Sequence, residues 1–294
     1  MSSYARRPEW LKLKPLDSTI LTKMRKLTRG LKLHTICESA RCPNRTECFA
    51  QGTATFMILG DICTRNCTFC AVKHGKPEAP DPEEPEHIVS AVKKLGLRYV
   101  VITSVTRDDL PDGGASQFAQ IIKTLRAYDS NILVEVLVPD FRGSLAAWQI
   151  VIDASPDILN HNVETVPRLY LEVRPGANYQ RSLELLRRAK LNGLLTKSGL
   201  MLGLGERDNE VIEVMEDLRE AGCDSITLGQ YLRPSLKHHE VVRYVTPAEF
   251  AQYEVIAKRM GFLGVASGPL VRSSFNAIDF YNEVRLCKST NHSI

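Results

Sequence analysis

The sequence predicts an α/β fold, a partial (β/α)6 TIM-like barrel flanked by an N-terminal and a C-terminal extension. Apolar runs of strand length alternate six times with amphipathic helical segments, which implies parallel strands with helices outside. Six units are too many for a small sheet and too few for a closed eightfold barrel, with a doubly wound open sheet as the alternative. The polar, unusual segments fall just after the strands, where barrels build their active sites.

The first strand is the apolar run "ATFMILG" (54–60). The proline-rich "KPEAPDPEEPEH" (76–87) follows the cysteine-rich region and reads as a loop. Ile88, Ala91, Val92 and Leu95 then recur at helical spacing up to Gly96. "RYVVIT" (98–103) is the second strand, and Phe118, Ile121, Ile122 and Leu125 mark its helix. "ILVEVLV" (132–138) precedes the helical "SLAAWQIVIDA", and a short strand at 157–159 precedes "RSLELLRRAKLN" (181–192). "TKSGLML" (196–202) leads to a helix through Val211, Val214, Met215 and Leu218, closed by Gly222. "SITLG" (225–229) is the sixth strand, and the last helix spans about 247–260. The extensions are then 1–52 and 267–294, around a barrel at 53–266.

The 294 residues are 44% hydrophobic and 24% charged, values that exclude wholesale disorder. No apolar run approaches the roughly 18–20 residues of a membrane span, and the first residues lack the n-region and h-region pattern, so no signal peptide is expected. A cytoplasmic location is expected, with an organelle matrix as the alternative. A net charge of +4 argues against dedicated nucleic-acid binding. Residues 1–36 nevertheless carry nine Lys/Arg against Glu9 and Asp17. A solvated arm wrapping the domain explains this most simply. Pro8, Trp10 and Pro15 interrupt any transit-type helix, and docking to an acidic partner is a third reading.

Six of eight cysteines lie between positions 37 and 70, in two groups of three. In a reducing compartment such clustering points to metal or redox chemistry rather than disulfides. Cys63, Cys67 and Cys70, spaced C-x3-C-x2-C, follow the first strand, with Phe69 before the last. Three thiolates on one loop can hold three irons of a 4Fe–4S cluster and leave the fourth open. Zinc would call for paired knuckles and a fourth Cys or His, which the spacing lacks. Cys37, Cys42 and Cys48, spaced C-x4-C-x5-C, fit no common zinc finger.

The second triad resembles the radical S-adenosylmethionine (SAM) superfamily, in which SAM chelates the open iron. There, an electron splits its sulfonium to give methionine and a 5′-deoxyadenosyl radical. The first triad, with "PEWLK", "TSVTRDDLPDGGA", "NHNVETVPRLY", "VRPGANY", "SGLMLGLGE", "TLGQYLRPS" and "VASGPLVRSSF" in order, resembles the lipoyl synthases over nearly the whole chain. That resemblance implies insertion of two sulfur atoms at carbons 6 and 8 of a protein-bound octanoyl group. It implies SAM and two 4Fe–4S clusters as cofactors, the auxiliary one being the sulfur source. The implied partners are octanoylated carrier domains of 2-oxoacid dehydrogenase complexes and of the glycine cleavage H protein. An electron donor such as ferredoxin or flavodoxin is also implied, with neither nucleic acid nor membrane.

Residue by residue, the resemblance assigns Cys37, Cys42, Cys48 and Ser273 to the auxiliary cluster, and Cys63, Cys67 and Cys70 to the radical cluster. Ser273 comes from the family's R-S-S-Y motif, which here reads Arg272-Ser273-Ser274-Phe275, a departure at its last residue. Asn160, Asn162 and Glu164 alternate at the end of the fourth strand and are expected to face the mouth and a ribose. Arg174 is expected to pair the methionine carboxylate. "GLGE" (203–206) is expected as a close-packed loop near the adenine. Cys223 reads as a small buried hydrophobe, Cys287 as a bystander, and His238 and His239 as solvated residues of a charged loop. Another radical sulfur-inserting type and a metal-stabilised binding module are the competing readings. The placement of the extra cysteines disfavours the first, and the barrel pattern disfavours the second.

Overall fold

The computed structural model describes residues 7–12, 17–50, 55–274 and 277–291. Helix α1 (Ser18–Gly30) starts where Asp17 accepts from the backbone of Thr19 and Ile20, amides with no partner inside the helix. Leu21 and Met24 anchor it on the core, so this part of the basic arm is tied down. Strand β1 (His34–Thr35), helices α2 (Ile36–Ser39) and α3 (Arg45–Ala50), strand β2 (Thr55–Ile58) and the small pair β3 (Ile62–Cys63) and β4 (Lys73–His74) follow.

Alternation then sets in with α4 (Glu84–Leu95), β5 (Tyr99–Ser104), α5 (Ala115–Tyr128), β6 (Leu133–Leu137), α6 (Leu145–Asp153) and β7 (Ile158–Asn160). It continues through α7 (Tyr170–Val173), α8 (Tyr179–Leu191), β8 (Leu195–Leu202), α9 (Asp208–Glu220), β9 (Ser225–Gln230), α10 (Pro247–Arg259), β10 (Gly264–Gly268) and α11 (Ala277–Asn291). α4 begins inside the expected loop, because Pro85 sits in its first turn, where no amide hydrogen is needed.

One sheet runs β1-β2-β5-β6-β7-β8-β9-β10. β1 is antiparallel to β2, and every other neighbour is parallel. All six expected strands are present. A seventh parallel strand, β10, and the short β1 extend the sheet. The sheet is an open, partial barrel: its end strands β1 and β10 are not neighbours in that order.

Outward-facing side chains such as Ile102, Val134, Val136 and Leu228 pack under the apolar faces of the helices, including Phe118, Ile122, Leu186 and Met215. Each such burial is worth about 1.5–3 kcal/mol. Inside the barrel, Tyr99, Val101 and Ile158 meet Ala277 and Tyr281 of α11. The Tyr99 and Tyr281 rings lie edge to face at 5.9 Å. α11 therefore caps the end where the strands begin, and the opposite end is left to the polar loops.

Candidate functional site: two cysteine triads at one barrel mouth

The radical-type triad is held by a framed loop. Beyond β2 the chain turns at Leu59 and Gly60, both left-handed, with φ of 67° and 92°. Glu84 accepts from the Leu59 amide and Arg107 donates to its carbonyl, so this peptide is gripped on both sides. The parallel pairing of β3 with β4 closes the base of the loop that carries Cys67 and Cys70. Cys63 Sγ accepts from the amides of Arg65 and Thr106, at 3.4 and 3.3 Å. Arg65, between the first two cysteines, grips Asp108 through two nitrogens and Asp140 at 2.6 Å. Arg181 donates to the other Asp140 oxygen at 3.0 Å.

The first triad is assembled by α2 and α3. The Cys42 amide donates to the Cys37 carbonyl, and that of Cys48 to the Asn44 carbonyl. Asn44 donates to the Leu270 carbonyl at 2.7 Å, which ties this segment to the chain beyond β10. Cys37, Cys42 and Cys48 share one cavity with Asn44, Thr55, Arg272 and Ser274. That cavity lies between β2 and the segment after β10, at the seam where the sheet does not close.

The two serines of the motif part company. Ser274 Oγ accepts from Thr55 Oγ1 at 2.8 Å and lines the cysteine cavity. Ser273 Oγ accepts from Asn162 Nδ2 at 2.7 Å, on the barrel-mouth side. The hydroxyl beside the first triad is thus that of Ser274. Gly229 permits this path: a Cβ there would lie 2.2 Å from the Val271 carbonyl oxygen. Phe275 lies outside the described residues, as does the side chain of Cys287.

Buried thiols hold their protons. Burial, with Cys42 alongside, pushes Cys37 up to about 12 and Cys48 up to about 11. Burial pushes Cys70 up to about 12 and also raises Cys67. Such thiols ionise most readily when a metal replaces the proton, so both donor sets suit thiolate-ligated iron. Among the described residues, no three Cys, His, Asp or Glu are grouped to hold a single ion. One tetrahedral ion draws thiolates together at about 2.3 Å from the metal, whereas the thiolates of a cluster bind separate irons.

Asn162 and Glu164 point into the mouth together, Asn162 Nδ2 donating to Glu164 at 3.1 Å. Burial raises the Glu164 carboxyl, partly offset by Arg174 and by Asn162. Arg174 lies over the Tyr170 ring and donates to the carbonyls of Asn162 and Val163, both at 3.0 Å. Its Nε and the Asn162 Oδ1 are buried without a partner among the described residues. Glu164 feels Arg174 and Arg272, Cys67 feels Arg174 and Glu164, and Arg272 feels Cys42 and Glu164. Glu164 thus lies near both Arg174 and Arg272, Arg174 near Cys67 and Arg272 near Cys42.

Asn160 sits elsewhere. It is fully buried, donating to Glu135 at 2.8 Å in an interior cluster with Lys197 and Tyr99. It shares a face with Asn162 but lies one layer deeper, inside the strand rather than beyond it. In "GLGE", Glu206 accepts from the amides of Gly203 and Leu204 and closes the loop on itself. Cys223 is fully buried and its thiol is pushed up to about 12 by burial. His238 and His239 are not free in solvent: the His238 ring is turned onto the cysteine loop and the His239 ring onto Glu172 of α7. Arg65, Asp140, Arg272 and Ser274 were not singled out from sequence. The only signals were an arginine inside the cysteine spacing and the motif already quoted around Ser273.

Comparison with known proteins first sets the class. The model of the Radical SAM superfamily matches residues 57–218, more than half of the chain. Solved structures agree on the fold. The FeFe-hydrogenase maturase HydG from Carboxydothermus hydrogenoformans superposes with a TM-score of 0.58 at 14% identity, covering 92% of this chain and 75% of that one. Methylornithine synthase (PylB) gives 0.54 at 15%, covering 81% and 72%.

The particular family follows from closer relatives. The lipoyl synthase of Caldanaerobacter subterraneus subsp. tengcongensis is 59% identical, covering 92% of this chain and 96% of that protein. That of Syntrophotalea carbinolica is 57% identical, covering 92% and 89%. The chain belongs to the lipoyl synthases, enzymes of the radical SAM superfamily, which work with a 4Fe–4S cluster and SAM. No described helix is long and apolar enough to cross a membrane.

Proposed function

We propose that the chain inserts sulfur at carbons 6 and 8 of an octanoyl group on a lipoyl carrier domain, using two 4Fe–4S clusters. The observation that carries this reading is the pair of cysteine triads, one on the loop after β2 and the other lining the seam cavity with Ser274. The radical cluster with SAM supplies removal of hydrogen from unactivated carbon, chemistry that no side chain provides. Cys63, Cys67 and Cys70 would hold that cluster, and Arg65 keeps their loop in place. Asn162, Glu164 and Arg174 are the polar groups available to SAM; Asn160 is committed to Glu135.

Cys37, Cys42 and Cys48 would hold the second cluster, the sulfur source, with a serine at its fourth corner. We assign that corner to Ser274 in place of the expected Ser273, because Ser274 lines the cysteine cavity. Oxygen is a harder donor than thiolate and a weaker match for iron–sulfur centres, which suits a corner that must release iron. The carriers are those of 2-oxoacid dehydrogenase complexes and the glycine cleavage H protein, with a ferredoxin or flavodoxin as reductant. The chain divides into an auxiliary-cluster extension (1–52), a radical barrel (53–266) and a closing extension (267–294), in the cytoplasm.

Anaerobic reconstitution tests this. Wild type should bind about eight iron and eight sulfide per chain, and Cys63→Ala or Cys37→Ala about four. Cys37→Ala and Ser274→Ala should form 5′-deoxyadenosine from SAM without giving lipoyl product on an octanoylated carrier, while Ser273→Ala keeps both. One cluster in the wild type defeats the two-cluster reading. A productive Ser274→Ala, or an unproductive Ser273→Ala, returns the ligand to Ser273.

A further inference from the structure

The loop after β9 closes over the open side of the barrel. Four strands separate β2, which feeds the cysteine loop, from β9, yet the two meet at the mouth. The loop is stiffened first by its own bonds. Tyr231 Oη donates to the His239 carbonyl at 2.8 Å, and Arg233 donates to the carbonyls of His238 and Leu236 at 2.9 and 2.7 Å.

So braced, it reaches the cysteine loop twice. The His239 amide donates to the Thr68 carbonyl at 2.8 Å, and His238 Nε2 lies 3.1 Å from the Cys70 carbonyl. A carbonyl only accepts, so Nε2 carries the hydrogen. Nδ1 is then the acceptor for the Ser235 hydroxyl, 2.8 Å away. Ser235 thereby fixes both the ring's orientation and its tautomer. From the other side, Thr68 donates its amide to the Val173 carbonyl and its hydroxyl to the Glu172 carbonyl. His239 Nε2 also meets the Glu172 carboxylate at 3.0 Å.

We propose that His238 is a positioning residue for the radical cluster: through Ser235–His238–Cys70 it sets the peptide that aims the Cys70 sulfur. The inference rests on the reading of Cys63, Cys67 and Cys70 as cluster ligands. Three sulfurs on one short loop must keep their geometry to within about 0.5 Å for a site to work. The Cys63 end is fixed by Arg65 and Thr106, and the Cys70 end has His238 in the equivalent place. Partners one bond beyond a metal ligand commonly change affinity or activity about 10–100-fold when removed. Hydrogen bonding around a cluster also tunes its potential. His238 acts on the peptide rather than on the metal, so any neutral donor at the Nε2 position should serve.

The test uses full-length, doubly reconstituted protein: wild type, His238→Ala, His238→Gln and His239→Ala. His238→Gln offers an amide Nε2 where the ring nitrogen stood. His239→Ala keeps the backbone bond to Thr68 and should behave nearly as wild type. His238→Ala should cleave SAM about 10-fold or more slowly, show an altered EPR spectrum of the reduced, SAM-bound cluster, and have a lower cluster potential. In cluster-free protein, amide exchange at residues 68–72 should speed up while the thermal midpoint stays close to wild type. His238→Gln should recover the spectrum and most of the rate. Unchanged spectrum, potential and exchange in His238→Ala would overturn the proposal. So would a His238→Gln variant as impaired as His238→Ala. A wild type with no SAM-responsive cluster would instead defeat the reading of the triad itself.

Discussion

Asp140 pins the radical-cluster loop to the barrel, and the effect of removing its charge can be sized. Its carboxylate accepts from Arg65 Nη2 at 2.6 Å, Arg181 Nη1 at 3.0 Å and the Arg142 amide at 3.1 Å. The side chain is 1% exposed, and that of Arg65 is 8% exposed. Burial alone would raise the carboxyl; the hydrogen bond and charge of Arg65 outweigh it and hold the group down at about 2, from 3.8. A depression of roughly 1.8 units corresponds to about 2.4 kcal/mol of folding stability. Because the folded pKa is depressed, that stability is present above the unfolded value and is lost as pH falls towards 2. About 1.3 kcal/mol should remain at pH 3.

Asp140→Asn preserves shape but leaves Arg181 unpaired and Arg65 with Asp108 alone. Breaking a buried pair typically costs about 3–5 kcal/mol. The retained Asp108 contact brings the expectation down to about 2–4 kcal/mol at pH 7. Urea unfolding of cluster-free wild type and variant, from pH 7 down to pH 3, measures both the gap and its pH dependence. The gap should narrow by about 1 kcal/mol at pH 3. A difference under about 0.5 kcal/mol at pH 7, or a gap indifferent to pH, would refute the reasoning.

Two further substitutions probe the interior and the seam. Lys197→Met strands the fully buried Glu135 without its counter-charge and should cost about 3–5 kcal/mol, while Glu135→Gln with Lys197→Met should restore more than half of that; denaturant midpoints of wild type and the two variants decide it. Gly229→Ala forces a methyl against the Val271 carbonyl, so it should cost about 1–3 kcal/mol and lower iron occupancy at the first triad. Gly30→Ala, where a Cβ meets nothing within 4 Å, should be neutral or mildly stabilising by calorimetry.

The barrel was legible where strands are made of β-branched and large apolar residues. "RYVVIT" and "ILVEVLV" can only be buried strands at that length, and their helices carry clear apolar stripes. β10 was not legible, because "GVASG" has one large apolar residue. It is a strand because β9 offers a free edge: Gly264 to Gly268 pair with Ser225 to Gly229. Gly264 is small for a definite reason, since a Cβ there would meet Val284 and Phe280 of α11 at 2.6 and 2.9 Å. Tertiary context supplied what local pattern lacked. α1 and α11 escaped in the same way: their anchors are few, and the reason for them lies across the fold.

At the site, cysteine spacing carried most of the information because three thiolates on one loop are a local fact. What spacing cannot supply is depth and direction. Period-two alternation put Asn160, Asn162 and Glu164 on one face, correctly. It could not say that Asn160 lies at the level of Glu135, in a charged layer where its Nδ2 donates to that carboxylate. Neither could it decide between Ser273 and Ser274, since neighbouring residues of a turn face opposite ways and only the positions of Thr55 and Asn162 tell which is which. The histidines make the same point from the other side. A charged loop predicts solvent, but Tyr231 and Arg233 fold this one back on itself, and so folded it packs on the cysteine segment and on Glu172. Its partners lie 168 residues away in the chain, beyond any pattern local to "LKHHE".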